Sequence, residues 1–190
     1  LFEDSPEKII PYDYVAYFAN TDRFVMVTTN CLTGKAEYLE EKSDSKRVMD
    51  IVRASSSLPY VTKITYVDGV PMLDGGIADS IPVEYARSQG YERMVVVLTR
   101  NKGYRKNEKQ LPVPKFIYRR YPELRKTLAS RNAQYNRTME MIERLEDEGR
   151  MTVIRPVHPI EVDRMEKDTD KLRALYQEGY ELAESFLASL

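Results

Sequence analysis

Short apolar runs alternate with stretches of helical spacing along the first hundred residues. Residues 24–29 and 94–98 are continuous apolar or β-branched runs, which predicts buried strands, the second of them fully buried and parallel to its neighbour. Asp68-Gly69 separates two β-prone runs and predicts a tight hairpin. A helix is predicted to follow a cap at Asp44 or Ser45. Because strand and helix signals alternate, the pattern predicts an α/β fold.

Helical periodicity dominates the second half of the chain. Apolar residues recur at helical spacing over residues 122–149 and again over residues 172–190, where they form one amphipathic stripe. A short strand is predicted between these helices, over residues 151–154. We therefore predict an α/β part over residues 1–112 and a mostly helical extension, packed on it, over residues 113–190.

Composition and charge exclude several classes of protein. The chain has 190 residues, with 29 Lys and Arg against 30 Asp and Glu and a formal net charge of −1, so it is not basic overall. The longest apolar run, residues 94–98, is too short to cross a bilayer. One cysteine, Cys31, excludes an internal disulfide and a multi-cysteine zinc site. Cys31 is expected to pack as a small hydrophobe rather than act as a nucleophile with His158.

The first residues, Leu1-Phe2-Glu3-Asp4, contain no initiator methionine and no signal-peptide pattern. We therefore expect the chain to be a piece of a longer protein.

The tripeptide Asp74-Gly75-Gly76 is the most informative local motif. It follows a predicted strand, and active sites in open α/β sheets gather at the carboxyl ends of strands. Glycine permits positive φ and the close approach of another group beside the carboxylate. An ordinary strand-ending turn in which Asp74 caps the backbone has the same residues, and the tripeptide alone favours that turn.

The surroundings of this tripeptide carry a family resemblance. Residues 54–59 (Ala-Ser-Ser-Ser-Leu-Pro) and residues 67–83 together resemble the second half of a patatin-like phospholipase. In that family an A-S-x-A-x-P stretch precedes a strand that bears D-G-G or D-G-A, and a proline then opens a helix. Residues 25–40 resemble the strand–turn–strand element of the family, and residues 153–180 are similar to the C-terminal extension of a bacterial branch. Ser57 stands where the family usually has Ala.

The resemblance implies the C-terminal portion of a patatin-like open sheet flanked by helices, with a helical C-terminal extension. It also implies a serine acyl hydrolase, a phospholipase A or lipid esterase, that acts on acyl esters and needs no cofactor or metal. Asp74 would be the base of a Ser-Asp dyad, with Gly75 and Gly76 as the motif glycines beside it. A carboxylate is a weak base at neutral pH, so it must be desolvated and close to the serine. Backbone N–H groups of a Gly-rich loop would form the oxyanion hole.

One departure from the family pattern decides which catalytic residues this chain can supply. Residues 1–190 contain no G-x-S-x-G nucleophile elbow and no Gly-rich oxyanion loop. In the family both elements lie N-terminal to the region present here. We therefore expect the serine on a missing N-terminal segment of a parent enzyme and predict that residues 1–190 alone are inactive. Descent from an enzyme with loss of catalysis is the alternative.

A basic segment, residues 100–126, has ten Lys or Arg against two Glu. Each basic residue near an anionic bilayer contributes roughly 1 kcal/mol to binding. Such a surface suits a cytoplasmic lipid hydrolase with peripheral membrane contact, or alternatively a non-catalytic membrane-binding or interaction module. A solvated loop and helix face explains the same charges, and no nucleic-acid recognition motif accompanies them. The candidate residues for an anionic-lipid surface are Arg105, Lys106, Lys115, Arg119 and Arg120.

Overall fold

A computed structural model describes residues 12–20, 22–109, 113–114, 116–162 and 166–188. The helices in these ranges are α1 (Tyr14–Asn20), α2 (Ser45–Ser55), α3 (Val83–Ser88), α4 (Pro122–Asp147) and α5 (Thr169–Leu187). The strands are β1 (Met26–Asn30), β2 (Ala36–Leu39), β3 (Thr65–Val67), β4 (Val70–Asp74), β5 (Met94–Val97) and β6 (Met151–Ile154). Sheets flanked by helices confirm the α/β prediction.

The chain divides into two compact units. The first unit contains the described residues up to Pro82 together with Asn107–Tyr135. The second unit contains Val83–Lys106 and the described residues from Asn136 onward. Helix α4 contributes to both units. The sequence-based division between residues 112 and 113 stays a prediction.

The sheet of the first unit has the strand order β2-β1-β4-β3, with every neighbouring pair antiparallel. The hairpin predicted at Asp68-Gly69 is confirmed, because Val67 pairs with Val70. Asp68 has φ 52° and Gly69 has φ 78°, and positive φ at both central residues is the signature of a type I′ turn. Pairing of β1 with β4 places Thr28 opposite Asp74.

Apolar side chains cover both faces of this sheet. Successive residues of a strand point to opposite faces, so Met72 and Leu73 of β4 enter different clusters. Met72 packs with Ile51 of α2, whose N-terminus is capped by Asp44 as predicted. Leu73 packs with Leu124 of α4. The sheet is therefore held between α2 and the first turns of α4, which fixes the end of β4.

The second unit contains the parallel pair β5 and β6, in register from Met94 opposite Met151 to Val97 opposite Ile154. The parallel pairing was predicted correctly, but the full burial of β5 was wrong. Val95 is 53% exposed and Val97 is 71% exposed. Alternate side chains of β5 therefore face solvent, although the strand is paired with β6 in the described part of the chain.

The apolar stripe of α5 is only partly covered. Asp168 caps the helix by accepting from the N–H groups of Asp170 and Lys171. The helix packs against β6, and Leu175 and Leu182 are half-buried. The remaining apolar positions along the stripe include exposed side chains, namely Leu172, Tyr176, Tyr180 and Leu187. The predicted amphipathic helix is present, and the short strand β6 covers only part of its apolar stripe.

Candidate active site at the end of strand β4

The carboxylate of Asp74 lies at the end of β4, where it caps a short 3-10 helix, Gly75–Ile77. Its Oδ1 atom accepts a hydrogen bond from the backbone N–H of Gly76 at 2.7 Å. Its Oδ2 atom has no hydrogen-bond partner within the described ranges. The side chain is half-buried. One carboxylate oxygen is thus fixed by the backbone, while the other is available to a donor.

The backbone of Asp74 is held on both sides. Its N–H donates to the carbonyl of Ser57 at 2.9 Å. Its carbonyl accepts from the hydroxyl of Thr29 at 2.8 Å. Thr29 is fully buried, and its Oγ1 also accepts from the N–H of Ala78 at 3.2 Å. Thr29 therefore ties the end of β4 to the residue that follows the 3-10 helix.

Space beside the backbone is limited at both glycines, and most strictly at Gly75. A Cβ atom on Gly75 would lie 2.6 Å from the carbonyl carbon of Val27, and one on Gly76 would lie 3.0 Å from Oδ1 of Asp74. Neither glycine has a positive φ. The close approach expected from the motif is therefore the reason for these glycines, whereas the left-handed conformation is not used.

Ser57, where the resembled family has Ala, is accommodated without an unsatisfied hydroxyl. The residue is buried, and its Oγ donates to the carbonyl of Arg53 at 2.7 Å. The same oxygen lies 2.9 Å from Oγ1 of Thr65. A buried hydroxyl with partners costs little, so the Ala-to-Ser difference leaves the support of Asp74 intact.

Two side chains of α4 that no sequence motif marks also support the site. Nε of Arg131 donates to the carbonyl of Gly76 at 2.8 Å, and the side-chain amide of Gln134 donates to the carbonyl of Ala78. Both are remote from the D-G-G motif along the chain. No local pattern could have identified them, because their role depends on how α4 packs against the sheet.

Replacement of Arg131 by Leu should loosen the 3-10 helix beside Asp74. The carbonyl of Gly76 would lose a charge-assisted partner, so we expect the free energy of unfolding to fall by about 1–2 kcal/mol. Denaturant unfolding of the 190-residue chain measures this change. Arg137→Leu is the matched control because Arg137 is exposed on the same helix. An equal loss in both variants would contradict a specific role for Arg131.

The basic candidates do not all have the same environment. Arg119 and Arg120 are exposed in the first unit, whereas Arg105 and Lys106 belong to the second unit. Arg105 pairs with Glu143 at 2.6 Å and is half-buried. Lys115 lies outside the described residues. A continuous anionic-lipid surface formed by these residues therefore stays a prediction.

The ion pair of Arg105 gives stability that depends on pH. Hydrogen bonds from Arg105, and from the N–H of Gly103, lower the pKa of Glu143 from 4.5 to about 2. A depressed carboxyl pKa contributes stability above the unfolded value, and this contribution is lost as the pH falls towards 2. Glu143→Gln should therefore cost about 1–2 kcal/mol at pH 7.

We expect the difference between the wild type and Glu143→Gln to shrink as the pH falls from about 5 towards 2. Urea unfolding at several pH values measures it. Glu140→Gln is the control because Glu140 is exposed on the same helix. A difference that is independent of pH would contradict the assigned ion pair.

Cys31 and the acidic side chains form no further candidate site within the described residues. Cys31 is fully buried, as expected of a small hydrophobe, and burial raises the pKa of its thiol to about 12, which keeps it unreactive at neutral pH. The described side chains bring together no group of three or more His, Cys, Asp or Glu that could hold a metal ion. Of the helices described, none is both long and apolar enough to span a membrane.

Comparisons with known proteins agree with the resemblance seen in the sequence. A family model described as patatin-like phospholipase matches residues 9–87. A second family model, described as a domain of unknown function (DUF6363), matches residues 121–190. The uncharacterized protein YjjU of Escherichia coli (strain K12) is 42% identical over 52 residues. That stretch is 27% of this chain and spans only 15% of the length of YjjU.

Proposed function

We propose, for a chain whose residues 9–87 match the family model of patatin-like phospholipases, that Asp74 is the general base of a serine acyl hydrolase. One observation carries the proposal. The carboxylate stands at the carboxyl end of β4 with Oδ1 held by the N–H of Gly76 and Oδ2 left for a donor. This arrangement fixes the orientation of a base and leaves it an oxygen that can receive a proton.

The proposed reaction has two steps, acylation of the serine and hydrolysis of the acyl-serine. Oδ2 of Asp74 takes the hydroxyl proton of a serine as its Oγ attacks the ester carbonyl, and the tetrahedral intermediate expels the alcohol, which receives that proton. Asp74 then takes a proton from water as the water attacks the acyl-serine. Collapse of the second intermediate releases the carboxylic acid and returns the proton to the serine. The substrate class is acyl esters of lipids.

The serine of the dyad would come from a segment N-terminal to this chain in the parent protein. An oxyanion hole from the same segment would stabilise both intermediates. Peripheral membrane contact of a cytoplasmic parent protein, through Arg119 and Arg120, would bring the site to its lipid substrate. No described geometry favours the non-catalytic membrane-binding module over the hydrolase.

Covalent labelling tests whether the serine of the dyad lies on a segment N-terminal to this chain. The 190-residue chain alone should neither hydrolyse a p-nitrophenyl acyl ester nor react with a fluorophosphonate, whereas the parent protein should do both. Its labelled serine, located by mass spectrometry, should lie upstream of Leu1. Heat-denatured chain gives the background of non-specific labelling. Hydrolysis by the isolated chain that disappears in Asp74→Asn would overturn the proposal.

A further inference from the structure

Helix α5 presents an exposed apolar stripe beside the side that packs on β6. Four large side chains contribute to it, with Tyr176 72% and Leu187 64% exposed. The rings of Tyr176 and Tyr180 are stacked, with their centroids 6.4 Å apart. The fourth side chain, Leu172, is also exposed. Contiguous exposed apolar side chains mark an interaction surface, and tyrosine is enriched in such surfaces.

The positions of this stripe have a symmetric spacing. At 3.6 residues per turn, six positions lie within about 60° of Tyr176 around the helix axis, namely Leu172, Tyr176, Gly179, Tyr180, Ala183 and Leu187. Their spacing is the same in both directions from the midpoint between Gly179 and Tyr180. If two copies of α5 pair antiparallel about this point, each Tyr176 lies opposite Ala183 of the other copy. Each Tyr180 likewise lies opposite Gly179, so every ring meets a small residue.

The charges beside the stripe match the same antiparallel pairing. Arg173 and Glu184 are exposed and lie on one flank of the stripe, about 60° and 80° from Tyr176. Two antiparallel helices related by a twofold axis between them present the same flank to each other. At 1.5 Å per residue, Arg173 of one copy then lies about 3 Å along the helix axis from Glu184 of the other, so two ion pairs form. Parallel pairing would oppose like charges, and flanking charges of this kind set helix orientation.

Neither charged side chain has a strong partner within its own chain. Arg173 pairs with Asp170 at 3.8 Å, but both side chains are largely exposed, and such surface pairs contribute little. The carboxylate of Glu184 has no ion-pair partner among the described residues. Both groups are therefore available to a second copy.

We propose that this stripe is a homodimer surface, on which α5 pairs antiparallel with α5 of a second copy of the chain. A twofold interface uses the same patch on both subunits, so the patch must complement itself in shape and in charge. The stripe does both, because its tyrosines face its small residues and Arg173 faces Glu184. The inference does not rest on the role of Asp74, since every residue that carries it belongs to α5.

Sedimentation equilibrium of the 190-residue chain tests the dimer. We expect an average mass that rises with concentration from that of the monomer towards that of the dimer. Arg173→Glu and Glu184→Arg each replace two attractive pairs with two repulsive ones, so each should weaken association at least about tenfold. Circular dichroism confirms that the variants are folded. A wild-type chain that is monomeric at every concentration, or an association that neither substitution weakens, would overturn the proposal.

Reversing both charges together tests the antiparallel register. The double variant Arg173→Glu/Glu184→Arg keeps both pairs with opposite sign and should associate as the wild type does. An equimolar mixture of the two single variants should also associate, because one copy then has two acids and the other two arginines at these positions. Failure of either combination to recover association would overturn the pairing of Arg173 with Glu184.

Glu181→Arg is the matched control for Glu184→Arg. Glu181 is exposed on the same helix but is turned about 140° from Tyr176, so it points away from the stripe. The control should associate as the wild type does. An equal loss of association in both arginine variants would show an effect of net charge alone and would overturn the assigned contact.

Gly179→Leu tests the fit of Tyr180 from the second copy. A Cβ on Gly179 has no heavy atom within 4 Å in its own chain, and leucine has the better helix propensity, so the fold is kept. We expect association to weaken at least about tenfold, because the added side chain occupies the space that the ring needs. Ser185→Leu adds the same side chain on the opposite side of the helix and should leave association unchanged. Equal association by the two variants would overturn the proposed pairing.

Discussion

Replacing Asp74 with Asn is expected to lower kcat for acyl-ester hydrolysis by the intact parent protein about 10³-fold. Asparagine has the same shape, and its oxygen can still accept from the N–H of Gly76, which lies 2.7 Å from Oδ1 in the wild type. It cannot take the serine proton, and loss of a general base typically costs 10²–10⁴-fold. KM should change little, because the carboxylate acts in the chemical step rather than in binding. Steady-state kinetics with a p-nitrophenyl ester measures both constants.

Asp79→Asn is the matched control for this variant. Asp79 follows the same 3-10 helix, and its Oδ2 accepts from the hydroxyl of Tyr38 at 2.7 Å, a bond that an amide oxygen can also make. The kcat of the Asp79→Asn variant should stay within about threefold of the wild-type value. A comparable loss of kcat in both variants would show that an amide at either position disturbs the segment around the 3-10 helix. That result would contradict the role of Asp74 as the base.

Gly75→Ala should destabilise the first unit by about 3 kcal/mol, the upper part of the usual range for overpacking. The added methyl would lie 2.6 Å from the carbonyl carbon of Val27 and 2.8 Å from its Cβ. Val27 belongs to β1, which pairs with β4 in the centre of the sheet, so the backbone cannot withdraw without breaking the ladder. Denaturant unfolding followed by circular dichroism measures the loss.

Gly76→Ala separates this backbone clash from the general effect of replacing glycine. Its Cβ would meet only side-chain atoms, with Oδ1 of Asp74 at 3.0 Å as the nearest. A side chain can give way, so we expect a loss below about 1 kcal/mol. Displacement of the carboxylate should nevertheless reduce hydrolysis by the parent protein. Equal destabilisation by the two variants would contradict the contact between Gly75 and β1.

Local sequence predicted much of the first unit. Asp68-Gly69 specified its hairpin because both residues tolerate positive φ, and the Asp44 cap specified the start of α2. The burial of β5 was not predictable from its apolar residues. An apolar run such as residues 94–98 indicates which side chains can be buried. The layers that pack on the two faces of the strand decide which of these side chains are buried.

The sequence by itself determined the identity of the candidate base and its setting. Asp74-Gly75-Gly76 alone favoured a strand-ending turn, and the resemblance of residues 54–59 and 67–83 to the patatin-like family marked Asp74 as the candidate base. Only the tertiary structure decided what holds that carboxylate in place. Thr29 and Arg131 reach it from other parts of the chain, through sheet pairing and helix packing. Such contacts depend on long-range packing, which no local spacing records.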